Sequence, residues 1–178
     1  MKKWLVLLLT LVLAISSQGC ATAGAGLRSY ANQYEGYEFM YPTGWTEVKV
    51  PGSADVVFHD IVNETENVSV VISDVPEGKS LQDLGAPTEV GYKLSKSINA
   101  MAGDRDVQLV NAQEIAAGEK TYYILEYVAD LPSGIRHNLA SVIVRRGRLF
   151  TFNASTNENR WERVKDLMKQ SVASFKVY

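Results

Sequence analysis

The stretch Arg136–Trp161, RHNLASVIVRRGRLFTFNASTNENRW, constrains the fold more than any other part of the chain. Two β-rich runs, Asn138–Val144 and Arg148–Ser155, flank Arg145-Arg146-Gly147, where glycine takes a positive φ cheaply. Alternation assigns Leu139, Ser141 and Ile143 to one face and Ala140, Val142 and Val144 to the other. Both faces are largely apolar, so the hairpin is expected at the centre of a sheet covered on both sides. With the turn centred between Arg146 and Gly147, paired positions sum to 293 and His137 falls opposite Thr156. Asn157 then caps a helix whose apolar residues Trp161, Val164, Leu167, Met168 and Val172 recur at helical spacing.

Ahead of this unit the chain reads as further strands and one more helix. Gly36–Tyr41, Thr46–Val50, Asp55–Val62 and Asn67–Val75 are expected strands, separated by Pro42-Thr43-Gly44, Pro51-Gly52 and a polar Asn63–Glu66 turn. Asp83–Ala100 carries the stripe Val90, Leu94, Ile98, with Pro87 suited to a first helical turn. Val107–Ile115 and Lys120–Ala129 follow as strands, the second bearing Tyr122, Tyr123 and Tyr127, and Ser174–Tyr178 reads as a short terminal strand. Hairpin-length connections make the sheet antiparallel, and helices on its faces make an α+β sandwich.

Met1–Gly19 opens with Lys2-Lys3, continues as an apolar run from Trp4 to Ile15, and ends in small or polar residues. That is the pattern of a secretory signal, too short to span a bilayer as a helix. Cys20, the only cysteine, follows Gly19 directly and is expected to carry lipid, as in bacterial lipoproteins; the alternative is ordinary cleavage after Ala21 or Ala23. Ala21–Gln33 reads as a flexible tether and 34–178 as the domain.

Charge and motifs exclude several function classes. Three of the 18 basic residues and none of the 20 acidic ones precede residue 34, leaving the domain with net charge −5, against a nucleic-acid binder. From Glu35 to Asp83 ten acids face only Lys49 and Lys79, whereas from Glu89 onward thirteen bases meet ten acids. His59 and His137 are the only histidines, neither beside a nucleophile elbow, and no phosphate loop or dinucleotide fingerprint occurs, so no enzyme is expected. Two residue pairs are candidate ligands for a divalent ion: His137 with Glu158 at the end of the hairpin, and His59 with Asp60. Each supplies two donors, so a tightly held cofactor is not expected. The competing reading makes both histidines ordinary surface polar residues.

The stretches GYEFMYPTGW (36–45), DVVFHDIVNETENVSVVIS (55–73), GAPTEVGYKLSKS (85–97), KTYYILEY (120–127) and the hairpin with its helix start (136–161) resemble the PsbP family, in particular its cyanobacterial branch. The resemblance runs from Tyr34 to Tyr178 without large gaps. It implies an α-β-α sandwich around a central antiparallel sheet. It also implies a monomeric extrinsic protein of the thylakoid lumen, held to the membrane by a lipid anchor and touching lumenal subunits of photosystem II. In that family the plant members help retain the calcium and chloride of the oxygen-evolving complex, and the cyanobacterial branch is associated with assembly or stabilisation. The plant members have a longer N-terminal segment, tied to ion retention, where this chain has Ala21–Gln33. A histidine matching His137 and an acid matching Glu158 are associated with metal (calcium, manganese or zinc), which makes a divalent-ion binding or delivery protein the alternative function.

Overall fold

The computed structural model describes residues 26–52, 54–101 and 105–178. Ten strands and two helices follow in the order β1 (Leu27–Asn32), β2 (Tyr37–Pro42), β3 (Thr46–Val48), β4 (Ala54–His59), β5 (Asn67–Asp74), α1 (Pro87–Met101), β6 (Asp106–Ala117), β7 (Lys120–Leu131), β8 (Gly134–Arg145), β9 (Arg148–Asn157), α2 (Glu158–Ala173) and β10 (Lys176–Val177). Seven strands form one antiparallel sheet in the order β3-β4-β5-β9-β8-β7-β6, and β1-β2-β10 form a second, smaller one. The β8–β9 hairpin is central, as expected. Arg145 pairs with Arg148 and His137 with Thr156, the register that centres the turn at Arg146-Gly147. Both turn residues have positive φ, +53° and +71°, the primed geometry that matches the twist of the flanking strands.

Each face of the large sheet has its own core. On one side Val68 and Val70 of β5, Leu139 and Ile143 of β8, and Phe150 and Phe152 of β9 pack with Trp161, Met168 and Val172 of α2 and with Tyr37 and Phe39 of β2. On the other, Tyr123, Leu125 and Tyr127 of β7 pack with Val90 of α1, and Leu94 and Ile98 press against the same cluster. The result is the expected α-β-α sandwich, with the small sheet sharing the α2 side. Phe152, Val142, Leu125 and Val68 are completely buried, and each large apolar side chain so removed from water contributes about 1.5–3 kcal/mol.

Several strand ends move by one or two residues from the sequence reading, and three boundaries differ in ways that matter for the fold. Leu27–Asn32, expected within the tether, is β1: it pairs residue by residue with β2, and Tyr30 packs on Phe39 and Phe58 at 5.2 Å between ring centroids. The fourth strand ends at His59 instead of Val62, because the Asp60 carboxylate accepts from the Val62 N–H at 2.8 Å and folds the chain into a loop. The first helix starts at Pro87; a single 3₁₀ turn, Gln82–Leu84, precedes it, and Gly85, at φ +131°, separates the two. Met1–Gly19 and Cys20 lie outside the described residues.

Candidate functional site

The hairpin and the helix that follows it build one corner around His137. In β8 this residue points to the α2 side with Leu139, and the paired strand delivers the chain into α2 at Glu158. The Nδ1 atom of His137 lies 2.8 Å from Glu158 Oε2, so the two sequence-predicted ligands do meet. A third group, not foreseen, completes the arrangement: Glu126 of β7, whose Oε1 is 2.7 Å from Nε2. Since Val128 pairs with His137, Glu126 is its diagonal cross-strand neighbour on the same face. The signal for it was the two-residue Pro132-Ser133 turn, across which Leu131 pairs with Gly134 and which fixes the β7–β8 register.

One turn into α2, at i+3 from Glu158, Trp161 covers the imidazole. The rings are stacked with 3.7 Å between centroids and 9° between planes. His137 is thereby 4 % exposed. Both ring nitrogens thus lie within hydrogen-bond distance of a carboxylate oxygen, one from β7 and one from α2. A single ion reaches one of the two ring nitrogens, because they face opposite ways. An ion on the Nδ1 side would be held by His137 Nδ1 and the Glu158 carboxylate, with Glu158 drawing back from the ring to admit it. Glu158, its side chain 42 % exposed, has the freedom to make that move. Two protein donors on that side would hold an ion only weakly, with water completing its shell.

Next to this corner the loop between β4 and β5 is pinned from three sides. Glu66 is buried, accepts from Thr156 Oγ1 at 2.9 Å, and forms an ion pair with Arg160. Arg136 donates from Nε to Ser155 Oγ at 3.0 Å and from Nη2 to the Thr65 carbonyl. Burial pulls the Arg136 guanidinium below its ordinary value, and the nearby Glu66 charge opposes that pull.

His59 and Asp60 do not converge. His59 closes β4, paired with Thr46 and Asn67, while the Asp60 carboxylate accepts from Val62 N–H and from the Asn63 amide at 3.1 Å. Partial burial would raise the Asp60 carboxyl, but those donors outweigh it and hold it below the usual carboxylate range. Among the described residues no three His, Cys, Asp or Glu side chains are grouped to hold one metal ion, and no helix is long and apolar enough to cross a membrane.

Residues 25–177 match the family model described as PsbP. The chain is 48 % identical to CyanoP of Thermosynechococcus vestitus, with 90 % of each chain covered. It is 44 % identical to CyanoP of Synechocystis sp., over 97 % of this chain and 95 % of that one. The solution structure of cyanobacterial PsbP (CyanoP) from Synechocystis superposes with a TM-score of 0.75 at 44 % identity, covering 90 % of this chain and 98 % of the other.

Proposed function

The chain belongs to the PsbP family, and from that premise we propose that it is a non-enzymatic extrinsic protein of the thylakoid lumen that associates with photosystem II. Its role in this reading is to assist assembly or stabilisation of the oxygen-evolving complex, as a monomer held at the membrane through lipid on Cys20. The observation that carries it is end-to-end correspondence with two cyanobacterial CyanoP proteins, both covered over at least 90 % of their length. Fold alone would not carry it, since one architecture hosts many functions. The test is a pull-down of the tagged chain from detergent-solubilised thylakoids, scored against assembled and partly assembled photosystem II. Recovery of lumen-facing photosystem II subunits is expected; a chain that brings down none of them overturns the proposal.

A second reading is supported by the contact between His137 and Glu158: divalent-ion binding or delivery by the same fold. In it His137 supplies one nitrogen and Glu158 one oxygen, and the ion is calcium, manganese or zinc. The imidazole and carboxylate pair favours zinc or manganese over calcium, whose ligands are oxygens.

A further inference from the structure

On the face of the large sheet opposite His137, α1 covers β6 and β7 and leaves part of β5, β9 and β8 beside it uncovered. A half-open cleft of about 360 Å³ lies there. Leu94 and Ile98 of α1 form its apolar wall, together with Tyr127 of β7. Its floor is different. Register places Ser69 beside Asn153, Val71 beside Thr151, and Asn138 beside Ser155, so neighbouring rows of a central sheet carry amides and hydroxyls.

Asparagine and serine are poor choices for the middle of a covered sheet. Further along the same face the strands return to the apolar residues Val142 and Leu149, both buried. The polarity is therefore local to the cleft. Asn67 donates to the Thr65 carbonyl and Ser155 accepts from Arg136, whereas the amides of Asn138 and Asn153 make no hydrogen bond to a described residue. Two guanidiniums, Arg136 and Arg105, stand at one end, and no carboxylate lines the cleft among the described residues. Arg136 spends Nε and Nη2 on Ser155 and Thr65, which leaves Nη1 for another acceptor.

We infer that this cleft binds a small organic anion, with a compact apolar skeleton against α1, hydrogen-bonding substituents over the Asn138–Asn153 floor, and a carboxylate, sulfonate or phosphate group at Arg136 and Arg105. The volume is near the lower end for ligand pockets, which suits one ring system and excludes a diacyl lipid. The inference is independent of the photosystem II reading and of the metal corner, because it uses neither His137 nor the α2 face.

The test is titration of the full chain, purified as processed by its host, with 1-anilinonaphthalene-8-sulfonate. N-phenyl-1-naphthylamine serves as its uncharged counterpart and dihexanoyl phosphatidylglycerol as a lipid competitor. Saturable one-to-one binding of the sulfonate is expected, with amide shifts in nitrogen–proton spectra confined to β5, β8, β9 and α1, and at least tenfold weaker binding of the uncharged probe. Arg105→Glu, an exposed change that leaves the core untouched, is expected to weaken the sulfonate at least fivefold, and Ser69→Trp to fill the cleft and abolish binding. Equal affinity for both probes, displacement by the lipid at lower concentration than the sulfonate, shifts spread over other faces, or indifference to Arg105→Glu would overturn the inference. If Ser69→Trp fails to fold, the Arg105→Glu ratio decides alone.

Discussion

The imidazole of His137 lies flat on the indole of Trp161, 3.7 Å apart and 9° from parallel, while carboxylates from β7 and α2 hold its two nitrogens. One buried side chain thus ties the sheet to the start of α2. His137→Ala opens a cavity under Trp161 and deprives Glu126 of its donor, so it is expected to cost about 2–4 kcal/mol. Glu158→Gln, at a more exposed partner, is expected to cost under about 1 kcal/mol. Denaturant unfolding of the two variants checks the ratio; equal losses would show that the Glu158 contact and not the stack dominates.

Alkaline pH should unfold the domain through its tyrosines. Burial raises the phenols of Tyr37, Tyr122, Tyr123 and Tyr127 above the ordinary value of 10.0, and at Tyr37 the hydrogen bond to Asp55 adds to it. A raised folded-state value means the unfolded chain loses these protons first. The fold keeps this contribution below pH 10 and loses it progressively above. Ultraviolet titration is expected to show part of the phenolate signal appearing only together with loss of near-ultraviolet circular dichroism. Full ionisation of all nine tyrosines with the fold intact would refute this.

The hairpin, its register and the α2 stripe were legible because each is a local pattern: alternation, a two-residue turn, helical spacing. The meeting of His137 and Glu158 followed from that register alone. Glu126 was not read, because it needs a second register, between β7 and β8, to be combined with the first. Leu27–Asn32 has little strand signal of its own and becomes β1 by pairing with β2 and seating Tyr30 among Phe39 and Phe58, information stored elsewhere in the chain. The cleft beside α1 was likewise hidden: serines and asparagines spread over β5, β8 and β9 form a floor only once the strands are ordered.

Gly91 shows how closely α1 sits on the sheet. A Cβ there would lie 2.7 Å from Leu109 Cδ1 and 3.3 Å from Leu125 Cδ2, and the Tyr127 hydroxyl donates to the Gly91 carbonyl at 3.1 Å. Helix propensity favours alanine by about 1 kcal/mol, while overpacking costs about 1–3 kcal/mol. Leu109 is only partly buried and can give way at its tip, so Gly91→Ala is expected to be destabilising by about 1 kcal/mol net. A rise in melting temperature would mean that α1 is free to shift.

Anchoring has a direct chemical readout. With lipid on Cys20, mass spectrometry of the purified chain should give an N-terminal Cys20 peptide heavier by its acyl chains, and Cys20→Ser should release soluble protein or leave the leader uncleaved. Two or three chains hold far more firmly than one, at about 0.8 kcal/mol per buried CH₂. An unmodified N-terminus downstream of Cys20 would remove the anchor from the proposal.

Zinc is the sharpest probe of the corner, because it accepts mixed imidazole and carboxylate ligands. Titration with Zn²⁺ is expected to shift the ring signals of His137 and leave those of His59 alone, since His59 ends β4 while Asp60 is committed to Val62 and Asn63. Glu158→Gln should weaken the response by replacing the carboxylate on the Nδ1 side with a neutral amide, a poorer ligand. Glu126→Gln should weaken it as well, because a carboxylate on the far ring nitrogen fixes the orientation of the imidazole and makes it a better donor. Trp161→Phe keeps an aromatic cover and should change affinity less than twofold. Equal responses at His59 and His137, or a response indifferent to Glu158→Gln, would mean that zinc binds the surface at large. The corner would then act only as a clamp between the hairpin and α2.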